Sequence, residues 1–540
     1  ERVSPLAPHN FLSMVEKTIE IKRGQVLSDI LPNKEIPTNT ILNKTLTGCG
    51  ATYGEIVHAK RHSIIIEPNV PVILGKKAEH PSLFAVYEGI TKEDVKAFLA
   101  GEEDGFRKII TTPEGFDKKV LPAMYETHTP MYDDYFLLLD ECEKTIQDVG
   151  YRGDIYLPVD DFFRFKNKAM VSATPILPSD PRFEEQNFEM VRIAPTYDYR
   201  RPLTLCVTNN TVRILRKLLV RLKDETVCIF INSTDTILGL IQTLKLEGRC
   251  KVFCADKSVR KLKQQNFTDV SDRLSELAGV NFFTSRFYSA VDIKLDYKPH
   301  VIVLTDVFHA PYSMIDPQTE VVQAIGRFRN GIEQAYHITN TCDRLQSVSR
   351  DKLFHNLECQ ERIYNRIREL PIEGEIEHQT LTQALQGMDY KPFVTRTGNR
   401  NWFMWDNAWT DARLEALYRS SATIEEEYKD APFQLAVHKV DYDLTDEDRL
   451  RRTQAQIKGT TELWREVVEQ IDRIQRQNPD AEQTFLCEQL GDTFSEIIEA
   501  ATILGKERIG QLGYDRRRIK AALENVEENR LMTSEKMQRA

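Results

Sequence analysis

Between residues 38 and 345 the chain alternates short, continuously apolar, β-rich runs with longer stretches of helical periodicity. The strand candidates are Ser63–Glu67, Lys108–Thr112, Tyr135–Leu139, Ala169–Ser172, Val227–Ile231 and His300–Leu304. Unbroken apolar runs suit parallel strands covered on both faces, because a sheet with one wet face would alternate apolar and polar residues. Their alternation with helices predicts βαβ units and an α/β fold. A stretch holding Pro178, Pro181, Pro195 and Pro202 reads as a linker between two such domains. A second break follows Thr341. Residues 346–430 are polar and mixed, with Trp402, Trp405 and Trp409 among them. Such a cluster serves either as a platform for stacking nucleobases or, as clustered aromatics more often do, as a small satellite core.

From Thr445 onward the pattern is helical. Ile457, Trp464, Val468, Ile471 and Ile474 share one face, and Leu486, Leu490, Ile497, Ala501 and Leu504 form a second stripe. Asp515 is placed to cap a last helix that carries Arg516, Arg517, Arg518 and Lys520 in its first turns. Positive charge there opposes the helix dipole. A helix-turn-helix contact with DNA is one reading of it. A plain bundle with a solvated basic face is the expected one.

Composition narrows the class. The 540 residues suffice for three or four domains. Hydrophobic residues make up 41% and charged residues 29%, an ordinary globular mix. No apolar run is long enough for a membrane helix, and residues 1–24 contain no apolar signal core. Nine cysteines are scattered without CxxC pairs; Cys250 and Cys254 form a lone C-x3-C, which argues against zinc. This usage suits a reducing cytoplasm, expected to be that of a bacterial or phage-infected cell. The net charge of −10 argues against a uniformly basic nucleic-acid binder but leaves room for a local basic channel.

The chemistry concentrates in a few segments. Thr47-Gly48-Cys49-Gly50-Ala51-Thr52 follows an apolar-containing segment and precedes a candidate helix. Glycines there let backbone N–H groups approach phosphates, and the helix start adds partial positive charge. Thr52 stands where a hydroxyl would ligate magnesium. The hexapeptide alone is a weak signal, since glycines at this spacing occur in many turns. Asp140-Glu141-Cys142-Glu143 is stronger, because a carboxylate pair ending a parallel strand lies at the ligand-binding edge of the sheet. Asp140 would hold Mg²⁺ and Glu141 would orient or deprotonate an attacking water. Ser172-Ala173-Thr174 supplies small hydroxyls that would hydrogen-bond to that box.

In this order, and followed by Gln323-Ala324-Ile325-Gly326-Arg327-Phe328-Arg329-Asn330, these segments resemble the superfamily 2, DExx-box helicases over about residues 38–340. Thr284–Asp292 looks like that family's motif V. Ser63–Ile73 and Thr111–Phe116 occupy the places of its DNA-contacting motifs Ia and Ib. The resemblance implies two tandem RecA-like domains with parallel sheets, followed by a mainly helical C-terminal region. The implied division is an N-terminal extension (1–37), the two RecA-like domains (38–195 and 196–345), a connecting region with the Trp cluster (346–440) and a helical domain (441–540). It also implies ATP and Mg²⁺ in the cleft between the domains and nucleic acid, DNA rather than RNA, across their tops. Arg327 and Arg329 would reach the γ-phosphate, Gln323 would couple the domains, and Asp292 would link the cleft to the nucleic-acid path. Thr111, Thr112 and Thr284 would grip the phosphate backbone. The C-terminal helices would be the place for a protein partner, and no membrane is expected.

The chain departs from the family pattern at three places. Ala51 replaces the lysine that faces the β- and γ-phosphates, Ala290 stands where motif V carries glycine, and the second arginine of motif VI comes one place early. Three readings follow for Ala51: hydrolysis lost and a sensing or scaffold role kept, another cation such as Lys44 or Lys60 substituting, or an introduced Lys→Ala change. The additional departures favour natural divergence. The expected function is an ATP-linked DNA translocase or remodeller, in phage or mobile-element DNA replication, with impaired or unconventional hydrolysis. The alternative is a catalytically inactive helicase-fold protein acting as a nucleic-acid-binding or assembly scaffold.

Overall fold

The computed structural model describes residues 14–101, 105–289 and 291–539. Two eight-stranded sheets dominate it. The first contains β1 (Glu16–Ile21), β2 (Thr40–Asn43), β3 (His62–Ile66), β4 (Phe84–Val86), β5 (Lys108–Thr111), β6 (Tyr135–Asp140), β7 (Asn167–Ser172) and β8 (Glu189–Pro195), in the order β1-β8-β2-β7-β6-β3-β5-β4. The second contains β9 (Arg201–Thr208), β10 (Val227–Phe230), β11 (Cys250–Phe253), β12 (Val270–Ser271), β13 (Val280–Phe283), β14 (His300–Thr305), β15 (Ala335–Thr339) and β16 (Phe433–Val440), in the order β12-β11-β13-β10-β14-β15-β9-β16. Every pairing between named strands is parallel. The fold class is the expected one: two tandem parallel-sheet α/β units and a helical C-terminal region.

The unbroken apolar runs do what sheets covered on both faces require. In β6, Leu137 and Leu139 enter one core while Phe136 and Leu138 enter the core on the other face. In β14, Val301 and Val303 face one way and Ile302 and Leu304 the other. A period-2 backbone turns such a run into two buried faces.

Two strands lie outside the expected domain limits. β1, within the segment read as an N-terminal extension, adds to the edge of the first sheet beside β8. β16, within the segment read as a connector, pairs with β9 across eight residues and completes the second sheet. Neither run is continuously apolar, because each is an edge strand with one flank open.

Residues 346–430 are tied to both units. The helix Trp402–Leu417 buries Phe403 in the core of the first sheet and packs Leu414 and Leu417 against that of the second. Near its start, Asp406 accepts hydrogen bonds from Ser179 N (2.7 Å) and Ser179 Oγ (2.5 Å), and Asn407 Nδ2 donates to the Gln147 carbonyl (3.2 Å). Towards its end, Arg413 pairs with Asp316 and Glu427, and Tyr418 donates to the Ile315 carbonyl at 2.7 Å. The helix is therefore a strut between the two sheets.

Trp405 belongs to a small core rather than a stacking platform. Trp405 is fully buried with Leu357, Tyr364 and Tyr390, and Arg400 lies over its ring at 4.0 Å. Trp409 is buried, and Trp402 is half-buried beneath the same guanidinium. Truncating a buried aromatic removes its contacts and leaves a void. Trp405→Ala is thus expected to cost this segment about 3–5 kcal/mol, read as faster amide hydrogen exchange across 350–420. Unchanged exchange would refute the satellite core.

In the C-terminal region Trp464, Val468, Ile471 and Ile474 pack with Leu486, Leu490, Ile497 and Ala501 as expected. Ile457 does not: it is 83% exposed, because its helix (Asp446–Lys458) ends at Gly459 and a new one starts in another direction. Asp515 Oδ1 caps the last helix by accepting from Arg518 N at 3.0 Å. Arg516 spends its charge on Glu496, at 2.7 Å. Among the described residues no helix is long and apolar enough to cross a membrane.

Candidate nucleotide site

Strand order brings the site together. β2, β7 and β6 are neighbours, with Asn43 opposite Ser172 and Asp140 opposite Val171. The loop after β2, the carboxylates ending β6 and the hydroxyls ending β7 therefore emerge side by side at one edge of the sheet. This is where parallel α/β sheets place ligands.

The loop 44–50 arches into the helix Ala51–Val57 through Gly48 (φ 78°) and Gly50 (φ 89°). Both angles favour glycine. At Gly48 space matters as well: a Cβ there would lie 2.8 Å from Arg329 Nη1 of the second unit. Cys49 is buried, and its carbonyl accepts from Leu27 N at 3.0 Å, so the N-terminal segment buttresses the loop. Burial pushes the Cys49 thiol up to about 11, which keeps it a neutral packing group. Ala51 is buried among apolar neighbours.

Thr52 Oγ1 hydrogen-bonds to Asp140 Oδ2. Glu141 sits in the left-handed region at φ 48°, a conformation that costs a residue with a side chain about 1–3 kcal/mol. Its carboxylate is held by three groups: Lys44 Nζ at 3.5 Å, Arg327 Nη2 at 3.5 Å, and Gln323 Nε2, which donates to Oε2 at 3.2 Å. Burial alone would raise its pKa, but the charges of Lys44, Arg327 and Lys144 outweigh burial and hold the group down at about 2. Glu143 behaves oppositely. Burial and the neighbouring Glu141 charge push it up to about 8. The two carboxylates of one tetrapeptide are thus driven apart, one kept ionised and one drawn towards the protonated form.

The second unit reaches in through the helix Glu320–Gly326 and the residues that follow it. Gln323 Nε2 also lies 3.3 Å from Glu143 Oε1 and 3.2 Å from Thr174 Oγ1, while its Oε1 accepts from Arg327 Nη2 at 2.6 Å. Thr47 Oγ1 donates to the Gly326 carbonyl at 3.3 Å. Arg329 Nη2 pairs with Asp292 Oδ1 at 2.6 Å. That pairing is enforced by backbone: Ile293 N donates to the Arg327 carbonyl, and Arg329 N donates to the Ile293 carbonyl. Together the two units enclose a cavity of about 780 Å³, lined by the loop Gly48–Thr52, Lys44, Asp140, Glu141, Asp292, Arg327 and Arg329.

Thr47, Gly48, Cys49, Gly50, Ala51, Thr52, Asp140, Glu141, Asp292, Gln323, Arg327 and Arg329 are thus assembled in one place. The three threonines expected to grip nucleic acid are not on the surface. Thr111 is fully buried with its hydroxyl on the Thr112 carbonyl, Thr112 Oγ1 accepts from Gly115 N at 3.0 Å, and Thr284 is buried at the end of β13. Each hydroxyl-bearing residue here terminates a strand or caps a turn. Ala290 lies outside the described residues.

Two groups escaped the sequence reading. Val26 lines the cavity from the segment taken for an extension. Glu67, one residue past β3, is a fully buried carboxyl whose pKa is driven well up by burial and by Asp140 and Glu141. Lys44 was legible only as a lysine near the loop.

No family model matches the chain, and no curated protein matches it. Among solved structures, S. cerevisiae Dbp5 bound to RNA and ADP BeF3 is similar over 56% of this chain and 80% of its own, with 14% identity and a TM-score of 0.38. Mycobacterium smegmatis helicase Lhr bound to ssDNA and AMP-PNP is similar over 65% of this chain and 46% of its own, with 12% identity and a TM-score of 0.37. The DUF1998 helicase MrfA bound to DNA and AMPPNP is similar over 56% and 46%, with 13% identity and a TM-score of 0.38. This chain spans about half the length of the latter two. What its own site does is read from its own geometry: two parallel α/β units meeting across a loop-and-carboxylate edge.

Proposed function

We propose that the chain binds ATP with Mg²⁺ between its two α/β units and uses the nucleotide to drive movement on nucleic acid, as a DNA translocase or remodeller. One observation carries the reading: Gln323 and Arg327 of the second unit meet Glu141 of the first across a cavity that also holds the glycine loop. A site shared between two units is the arrangement through which a nucleotide changes their separation.

The residues present fit the group. A triphosphate needs cations, and Lys44, Arg327 and Arg329 line the cavity. Magnesium needs hard oxygens, and Thr52 and Asp140 offer them as a bonded pair. Among the described residues no group of three or more His, Cys, Asp or Glu forms a metal cage. Mg²⁺ is held by one or two carboxylates together with substrate phosphates and water. When bound, the ion would neutralise phosphate charge and polarise the oxygens around phosphorus. The protein's own contribution is positional. Glu141, kept ionised, is available to accept a proton from water. Arg327, braced by Gln323, presents its charge from the opposite wall.

The decisive assay is ATP turnover with and without single-stranded DNA and RNA. Turnover stimulated by DNA supports the reading; absence of both turnover and nucleotide binding overturns it. The setting proposed for the translocase is phage or mobile-element DNA replication, with impaired or unconventional hydrolysis; a second reading, an inactive nucleic-acid-binding or assembly scaffold, draws on Ala51 and predicts nucleic-acid binding without turnover.

A closed contact supplies a further prediction. A Cβ at Gly326 would lie 2.6 Å from Thr47 Cγ2. Gly326→Ala is expected to wedge the two units apart. It should abolish the ATP-induced change in energy transfer between dyes placed on them; an unaltered change would show the contact to be dispensable.

A further inference from the structure

The loop lacks its lysine, yet the cavity does not lack a buried ammonium. Lys44 stands one residue past β2, and its N–H donates to the Ser172 carbonyl at 2.8 Å, which prolongs the strand pairing and fixes its start point. The next residue, Thr45, is left-handed at φ 55°, so the chain turns away immediately afterwards. The Lys44 side chain is 8% exposed, and its Nζ lies 3.5 Å from both Asp140 Oδ1 and Glu141 Oε1. It lines the same cavity as Gly48, Gly50 and Thr52.

Other lysines do not share this position. Lys60 is exposed and does not line the cavity. Lys76 lines it but pairs with Glu79 at 3.2 Å, and Lys294 lines it from an exposed position. Among the described residues Lys44 is the buried lysine of the cavity.

Resting on the nucleotide reading above, we propose that Lys44 is the phosphate-binding lysine of this protein, relocated from the glycine loop to the end of the preceding strand. A lysine acts on phosphates as a point charge on a flexible stem, so what matters is where the ammonium arrives and not which backbone position sends it. The strand end serves because β2 lies beside β7, directly behind the carboxylates. The ammonium lies between Asp140 and Glu141. A triphosphate in the cavity would offer it denser negative charge. Ala51 then needs no charge, and its methyl group is free to pack.

Charge relocation tests this. Affinity for a fluorescent ATP analogue would be measured for the wild-type chain, Lys44→Gln, Ala51→Lys and the double variant. Losing one charge-assisted contact to a phosphate is expected to weaken binding by about 10–100-fold in Lys44→Gln. The double variant should recover most of that loss, because the ammonium returns by the other route. A second readout needs no substitution. An acyl-phosphate derivative of ATP, which acylates amines close to its phosphates, should label Lys44 in the wild-type chain and be blocked by excess ATP. Labelling of Lys76 or Lys294 instead, or wild-type affinity in Lys44→Gln, overturns the inference while leaving the nucleotide reading intact. No nucleotide binding by the wild-type chain overturns the nucleotide reading itself.

Discussion

Arg327→Ala is expected to lower ATP turnover by about 10³-fold or more, the scale on which arginines that neutralise charge on a transferring phosphoryl group act. The geometry explains the size and makes a finer prediction. The Arg327 guanidinium is buried, donates to the Oε1 of Gln323 at 2.6 Å and to its carbonyl at 3.3 Å, and lies 3.5 Å from Glu141 and 3.7 Å from Asp292. Four oxygens on three residues fix the plane of the fork. Lysine keeps the charge but cannot reproduce that fork. Arg327→Lys should therefore recover no more than about 10–100-fold over the alanine variant, the scale of one charge-assisted hydrogen bond. Steady-state turnover at saturating ATP checks both. Near-wild-type turnover in Arg327→Lys would mean that only the charge matters. Arg329, paired with Asp292 and lying over Gly48, should affect apparent ATP affinity more than turnover.

Glu141→Gln should reduce turnover by about 10²–10⁴-fold, the usual contribution of a positioned general base, with nucleotide affinity kept or improved. The amide keeps the shape and its oxygen can still accept from Gln323, but it takes no proton. It also releases Lys44 and Arg327 from one of their counter-charges, so both become more available to phosphate. Single-turnover rate and equilibrium affinity, measured separately, test this. A parallel loss of affinity would give Glu141 a structural role. Because the Glu141 carboxyl is held at about 2, its own titration should not limit activity between pH 5 and 8; the nearby buried carboxyls that would respond there are Glu320, at about 7, and Glu143, at about 8.

The motif residues were legible because their signals are local. Asp140-Glu141 ends an unbroken apolar run, and such a run becomes a buried parallel strand wherever it lies in the sheet. The glycine loop needed its companions, since its left-handed angles at Gly48 and Gly50 are common to many turns. The nucleic-acid threonines illustrate the limit. Thr111 ends a strand and Thr284 follows one, and both are buried, whereas Thr52, in the first turn of a helix, faces Asp140.

What the sequence determined by itself was the class of fold and the inventory of groups at the sheet edges, because side-chain period and strand ends are set within a few residues. What only the tertiary structure decided was adjacency: β1 and β16 joining the sheet edges, the helix Trp402–Leu417 spanning both units, and Lys44 arriving at Asp140, 96 residues further along the chain. Hydrogen bonding between strands that are far apart in sequence creates those neighbours. The Lys44 ammonium is positioned by the β2–β7 pairing, which no pattern within its own segment records.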